Sequence, residues 1–300
     1  MEEGEDLNTR TSSRFLKSVL LLVILGSVLT LVLPAPAPAV PQEAVDPFTR
    51  HVEALHKRLP GPGFTVVEAS PFVVIGDESP EVVRQRARQT VGWAVRKLKE
   101  SYFTQDPSVI IDVWLFKDRE SYEKNVAELW AETPSTPFGY YSSRHRALVM
   151  NISTGSGTLV HEIVHPFMET NFPDCPDWFN EGLASLYEQC GEDEHGRIHG
   201  STNWRLEGLQ KAIRDGRLQT FEQLTSRNFY GDDEGTNYAM ARYLCYYLQE
   251  QGKLQGFYRD LVANSSADPS GYLTLGKCLG YPDMEAFQSE WEAYVMKLRF

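Results

Sequence analysis

Hydrophobic and polar positions change rhythm twice along this chain. Residues Ser18–Leu33 (SVLLLVILGSVLTLVL) are apolar without a single charge. Beyond them, short apolar runs come first and long helical patterns follow. Residues 46–59 predict a short helix that stops at Leu59-Pro-Gly-Pro-Gly63. Phe64–Val67 and Phe72–Ile75 are β-rich runs with a turn between them. Pro80–Tyr102 places Val83, Ala87, Val91, Ala94, Val95 and Leu98 at helical spacing. Val109–Phe116 (VIIDVWLF) reads as a buried strand, and Asp118–Trp130 as a helix capped by Asp118. Phe138–Tyr141 and Ala147–Ile152 read as strands joined by a polar turn.

After about residue 155 the strand signals stop. Thr158–Glu169, Pro176–Gln189, Asn203–Asp215, Asn237–Glu250, Gly252–Leu261 and Asp283–Leu298 all carry helical spacing. Strands followed by helices predict an α+β fold. A mixed sheet lobe is expected over 45–155 and a mostly helical lobe over 156–300, with the site in the cleft between them. Phe138, Tyr140, Tyr141, Tyr243, Tyr246 and Tyr247 then read as core or cleft wall.

Charge narrows the function. The chain has 300 residues and a net charge of −12, a poor match for a phosphate backbone. It carries no Gly-rich phosphate loop and no nucleic-acid motif. Nucleic acid is therefore not an expected partner.

The apolar run 18–33 is preceded by a short tail, 1–17, that carries Arg10, Arg14 and Lys17. It is followed by a Pro/Ala spacer, 34–44, and by Glu43 and Asp46. This charge asymmetry predicts the N-terminus inside and residues 45–300 outside the cytoplasm. Two readings stand: an uncleaved transmembrane anchor, or a signal cleaved near Ala35–Ala39 to leave a secreted or periplasmic domain. The four cysteines include no Cys-x-x-Cys pair. Cys175 and Cys190 are candidates for a bridge in an oxidising compartment, and Cys245 reads as a core thiol.

One motif carries chemistry. Residues 161–165 read His-Glu-Ile-Val-His. Four residues apart on a helix, His161 and His165 leave one face about a turn apart, a spacing at which two neutral imidazoles hold one Zn²⁺. Glu162 stands beside them, placed to take a proton from a metal-bound water. Chance predicts roughly 0.014 such matches in a chain of this composition, so accident is a poor explanation. A catalytic zinc needs a third protein ligand and an open fourth position. Glu181 on the next helix is one candidate, and His195 or His199 in a polar loop is the other. No His-x-x-Gly-x-x-His follows the motif, which favours Glu181.

The pair HEIVH and NEGLASLYE, within residues 140–250, resembles the gluzincin zinc metallopeptidases, the thermolysin-like and aminopeptidase-like group. The resemblance implies His161, His165 and Glu181 as ligands of one zinc and Glu162 as general base. It implies Glu188 as an acid supporting a ligand histidine, and Tyr238 as a donor to the tetrahedral oxyanion, with Tyr243 and Tyr230 as rivals. It further implies that the strand Ala147–Asn151 aligns an extended peptide as an edge strand, through Ala147, Val149 and Asn151. Three departures stand out. Pro166 follows His165 directly, which predicts a kink. The Gly-Ala-Met-Glu-Asn segment of the aminopeptidases is absent, and Ser185 stands where thermolysin has an Asp. The expected function is a peptidase acting on a peptide or protein. The competing readings are an inactive surface-binding module and a metal-dependent hydrolase of a non-peptide amide. His51, His56 and His145 read as solvated, and Asp232-Asp233-Glu234 as a solvated turn and helix start.

Overall fold

The two apolar faces of one sheet organise the molecule. A computed structural model describes residues 46–226, 229–231 and 233–300. The apolar run 18–33 and the spacer 34–44 lie outside them. Among the described residues no helix is long and apolar enough to cross a membrane.

The chain enters through α1 (Pro47–His56), capped by the Asp46 side chain on the Thr49 N–H. The hairpin β1 (Thr65–Ala69) and β2 (Phe72–Gly76) follows. Next come α2 (Pro80–Arg86), a π-helical turn at Ala87–Val91, and α3 (Gly92–Ser101). The segment 80–102 is thus helical as expected, with one wide turn inside it. Strand β3 (Ile111–Phe116) leads to α4 (Arg119–Trp130), capped by Asp118 as the sequence predicts. The hairpin β4 (Gly139–Ser142) and β5 (Ala147–Asn151) completes a five-stranded sheet in the order β1-β2-β3-β5-β4. Pairs β2–β3 and β3–β5 are parallel, while β1–β2 and β4–β5 are antiparallel. One sheet face, with Val74, Val113, Leu115 and Leu148, belongs to the main core. The other, with Val73, Ile75, Trp114 and Phe116, packs against Leu55 of α1 and Tyr122 and Val126 of α4.

Strand β5 is not the edge of this sheet. It lies between β3 and β4, and all five of its residues are buried. The backbone groups at Ala147, Val149 and Asn151 are committed to neighbours on both sides. Among the described residues, the open edge on this side is β4.

The remainder is mostly helical: α5 (Gly157–Asn171), α6 (Asp177–Leu186), α7 (Arg205–Arg214), α8 (Phe221–Thr225), α9 (Glu234–Glu250), α10 (Leu254–Asn264), α11 (Tyr272–Leu279) and α12 (Met284–Val295). Helix α5 runs through Pro166 to Asn171. A hairpin interrupts the helices where none is expected, β6 (Cys190–Glu192) with β7 (Ile198–Gly200). Its turn is closed by Asp193, whose carboxylate accepts from the His195 and Arg197 N–H groups at 2.9 and 2.8 Å. Helix α6 consequently ends at Leu186, not Gln189. The buried Arg242 guanidinium on α9 takes up its last carbonyls, with Nε 3.0 Å from Ser185 O.

Candidate metal centre

Two glycines bring the site's elements together. A Cβ at Gly182 would lie 2.9 Å from Ala241 O and 3.0 Å from Cys245 Sγ, so α6 approaches α9 at a distance only glycine allows. A Cβ at Gly157 would lie 2.3 Å from Glu188 O, so the start of α5 rests against the turn after α6. Helices α5 and α6 thus present their functional faces to each other.

His161, His165 and Glu181 converge there, with one ligand atom from each lying within 4.8 Å of the others. Glu181 Oε2 is 3.3 Å from His161 Nε2 and 3.9 Å from His165 Nε2. Two ligands bound tetrahedrally at about 2.0–2.1 Å stand roughly 3.3 Å apart, so the separations suit one small cation. Glu181 Oε2 is buried with no hydrogen-bond partner among the described residues. Its other oxygen accepts from the Tyr230 hydroxyl at 2.8 Å. The carboxylate is therefore turned so that its unmatched oxygen faces both imidazoles, and the group can hold a metal ion.

Neighbouring side chains face the far nitrogen of each histidine. His165 Nδ1 pairs with Asn180 Oδ1 at 3.0 Å, leaving Nε2 to face Glu181. Behind His161, Glu188 Oε1 lies 3.4 Å from Nδ1. Glu188 sits just past the end of α6 and is held by Arg205, whose Nε and Nη2 lie 3.1 and 2.7 Å from its two oxygens. Asn203 Nδ2 adds a third bond at 3.1 Å.

These charges set the protonation states. Burial alone would lower the His161 pKa, but Glu181 and Glu188 facing its two nitrogens outweigh burial and hold it up to about 10. Burial would raise Glu181 and Glu188, yet His161, His165 and Arg205 hold both down to about 2. Glu162 is raised, chiefly by burial, while the two histidines and the Tyr141 backbone N–H on β4 oppose the shift. Its Oε2 is 3.9 Å from His165 Nε2.

The cluster opens into a cleft of about 1620 Å³. One wall is β4 with the exposed Phe138 before it; the other carries Tyr238, Trp204 and Arg205. The Arg205 guanidinium lies over the rings of both Trp204 and Tyr238, at 4.4 and 5.3 Å. Tyr238 faces the cleft with its phenol raised by burial and by the Glu181 charge, which keeps it protonated as a donor. Tyr243, by contrast, is fully buried and bonds Asn203.

The other histidines take different places. His195 is exposed at the hairpin turn, and His199 pairs with Glu250 at 3.2 Å, so neither joins the cluster. His56 is exposed. His51 is not simply solvated but sits 2.6 Å from the buried Asp112, and His145 stacks on Trp130 and pairs with Glu132. All four cysteines are free thiols, so Cys175 and Cys190 are unbridged. Sequence reasoning missed Asn180, Arg205 and the edge strand β4. Asn180 had a visible signal, since it precedes the candidate ligand Glu181 in Asn-Glu-Gly; Arg205 had none.

No protein-family model matches the chain, and no curated protein matches it.

Proposed function

We propose that this chain is a zinc-dependent peptidase of gluzincin type. The observation that carries the reading is the meeting of His161, His165 and Glu181 at one point beside Glu162, next to an open sheet edge. Two imidazoles and one carboxylate are the donor set that suits zinc with a position left free. When bound, Zn²⁺ supplies Lewis acidity, lowering the pKa of a water and polarising a carbonyl.

The chain's own residues supply the rest. Glu162 takes the proton of the attacking water and later hands it to the leaving amine. Asn180 and Glu188 hold the two imidazoles in the orientation that presents Nε2. Tyr238 donates to the oxygen on which negative charge develops. An extended substrate lies along β4, Gly139–Ser142, by backbone pairing, in place of the interior strand Ala147–Asn151. This open edge favours a polypeptide over a compact non-peptide amide. The charge-free run Ser18–Leu33 supports an exported and tethered enzyme.

The test is metal analysis and peptide-library cleavage by the full chain in nonionic detergent, beside Glu162→Gln. About one zinc per chain is expected in both. Cleavage should fall by at least about 100-fold in the variant. Wild-type cleavage by Glu162→Gln, or a wild-type chain that takes up no zinc, overturns the reading.

A further inference from the structure

A second cavity lies away from the cleft. It has a volume of about 550 Å³ and opens between α1, the start of β3 and the β4–β5 turn. Its floor is Asp112, which alternates with Ile111 and Val113 along β3 and so points to the sheet face opposite the one beneath α5. A carboxylate on that apolar face needs compensation. His51 supplies it at 2.6 Å, and Arg58 adds its charge from beyond the end of α1.

That leaves a surplus of positive charge. Arg50 and Arg146 line the same cavity, as does His145. The ion pairs bordering it are His51–Asp112, Arg144–Glu132 and His145–Glu132. Among the described residues, Arg50 and Arg146 take part in no ion pair, while Arg58 is turned to Asp112. Arg146 also sits in the left-handed region, at φ 52°, where glycine or asparagine is the low-strain choice. Its carbonyl accepts from the Asp112 N–H at 2.9 Å, which ties the turn to the cavity floor. In a chain of net charge −12, Arg50 and Arg146, two guanidiniums without carboxylate partners among the described residues, make this hollow a local reversal of sign.

We propose that this cavity binds a phosphate ester, with Arg50 and Arg146 on the phosphate oxygens. Guanidinium pairs favour tetrahedral oxyanions because two N–H groups meet two oxygens at once. The cavity is far larger than a lone phosphate, given about 30 Å³ for a water-sized molecule. Pro47, Val109 and Ile110 form the apolar wall that the ester's substituent covers. The phosphate belongs either to a lipid headgroup or to a soluble metabolite. In sequence, α1 begins 14 positions after Leu33, the end of the apolar run, which makes the lipid source worth a separate arm.

The experiment is calorimetric titration of the full chain in nonionic detergent with glycerol 1-phosphate, inorganic phosphate and the headgroup diester glycerophosphoglycerol. The monoester should bind more tightly than inorganic phosphate. Arg50→Gln or Arg146→Asn should weaken it about tenfold, as expected for one lost charge-assisted pair. Asparagine keeps the left-handed turn, so folding is preserved. Arg144→Gln, which removes a guanidinium engaged with Glu132, should leave binding unchanged. Diester binding that fails in the same two variants assigns a lipid headgroup; binding of the monoester alone assigns a soluble phosphate. No binding of any of the three, or equal binding in wild type and both arginine variants, overturns the proposal.

Discussion

Asn180 Oδ1 meets His165 Nδ1 at 3.0 Å, and the next residue, Glu181, meets the far side of the same ring at 3.9 Å from Nε2. Two consecutive residues of α6 therefore face one imidazole from opposite edges, Asn180 within hydrogen-bond reach and Glu181 beyond it. Asn180 holds the proton on Nδ1, which leaves the Nε2 lone pair free for a metal. Losing such an orienting bond costs about 10–100-fold in metal affinity. Asn180→Ala should show that loss in a competition titration with a chelator, while its melting temperature without metal stays near wild type. Unchanged affinity would remove Asn180 from the site.

Gly182 makes a prediction of a different kind. The Cβ that valine introduces would meet Ala241 O at 2.9 Å, and backbone cannot swing aside as a side chain can. Helix α6 must then move off α9 and carry Glu181 with it. Gly182→Val should cost about 1–3 kcal/mol, as overpacking does. Because the displaced atom belongs to the neighbouring residue, zinc affinity should fall together with the melting temperature. Full affinity with lowered stability would show that the α6–α9 contact does not position the carboxylate.

The candidate ligand group was legible because it obeys local rules. His161 and His165 are one helical turn apart, and Glu181 lies on the next helix past a Pro-containing loop. The sheet strands were legible for the same reason, as short β-branched and aromatic runs. What was not legible depends on pairings between distant segments. The choice of Ala147–Asn151 as the edge overlooked a usable signal: ALVMN is a nearly unbroken apolar run, the mark of a strand covered on both faces. GYYS at 139–142 is half-buried, as an edge strand is. The β6–β7 hairpin has only three residues per strand and no apolar alternation, so periodicity was blind to it. Arg205 reaches Glu188 across the hairpin that α6 and α7 flank, and no local pattern announces such a contact.

Tyr230 and Tyr238 take different places around Glu181 and the cleft. Tyr230 already donates to Glu181 Oε1 at 2.8 Å, so it steadies that carboxylate. Tyr238 lines the cleft and is available to a substrate oxygen. Tyr238→Phe should lower kcat by about 10²–10³ at unchanged KM and zinc content. Tyr230→Phe should weaken zinc binding about tenfold or more, while the loaded enzyme keeps most of its kcat. The reverse pattern in steady-state kinetics would exchange the two assignments.

The sharpest pH signature belongs to His161. Without metal it is held protonated up to about 10 by Glu181 and Glu188, against an ordinary value of 6.5. A ligand imidazole must be neutral, so binding zinc near pH 7.5 has to expel that proton. Below pH 10 affinity should therefore rise with pH, by about tenfold per unit from this group alone. Titrations at pH 7.5 in buffers of different ionisation enthalpy should return about one proton released per zinc from His161. The same shift fixes how the metal-free fold responds. A raised folded pKa contributes stability that is complete below 6.5 and disappears as pH climbs through about 10. The metal-free chain should thus melt at progressively lower temperature from pH 7 to pH 10, while the zinc-loaded chain, whose His161 is already neutral, should not share that decline. Zinc affinity that stays flat between pH 6 and 8, with no proton released, would mean that His161 is neutral before the metal arrives and that the two carboxylates do not act on it as described.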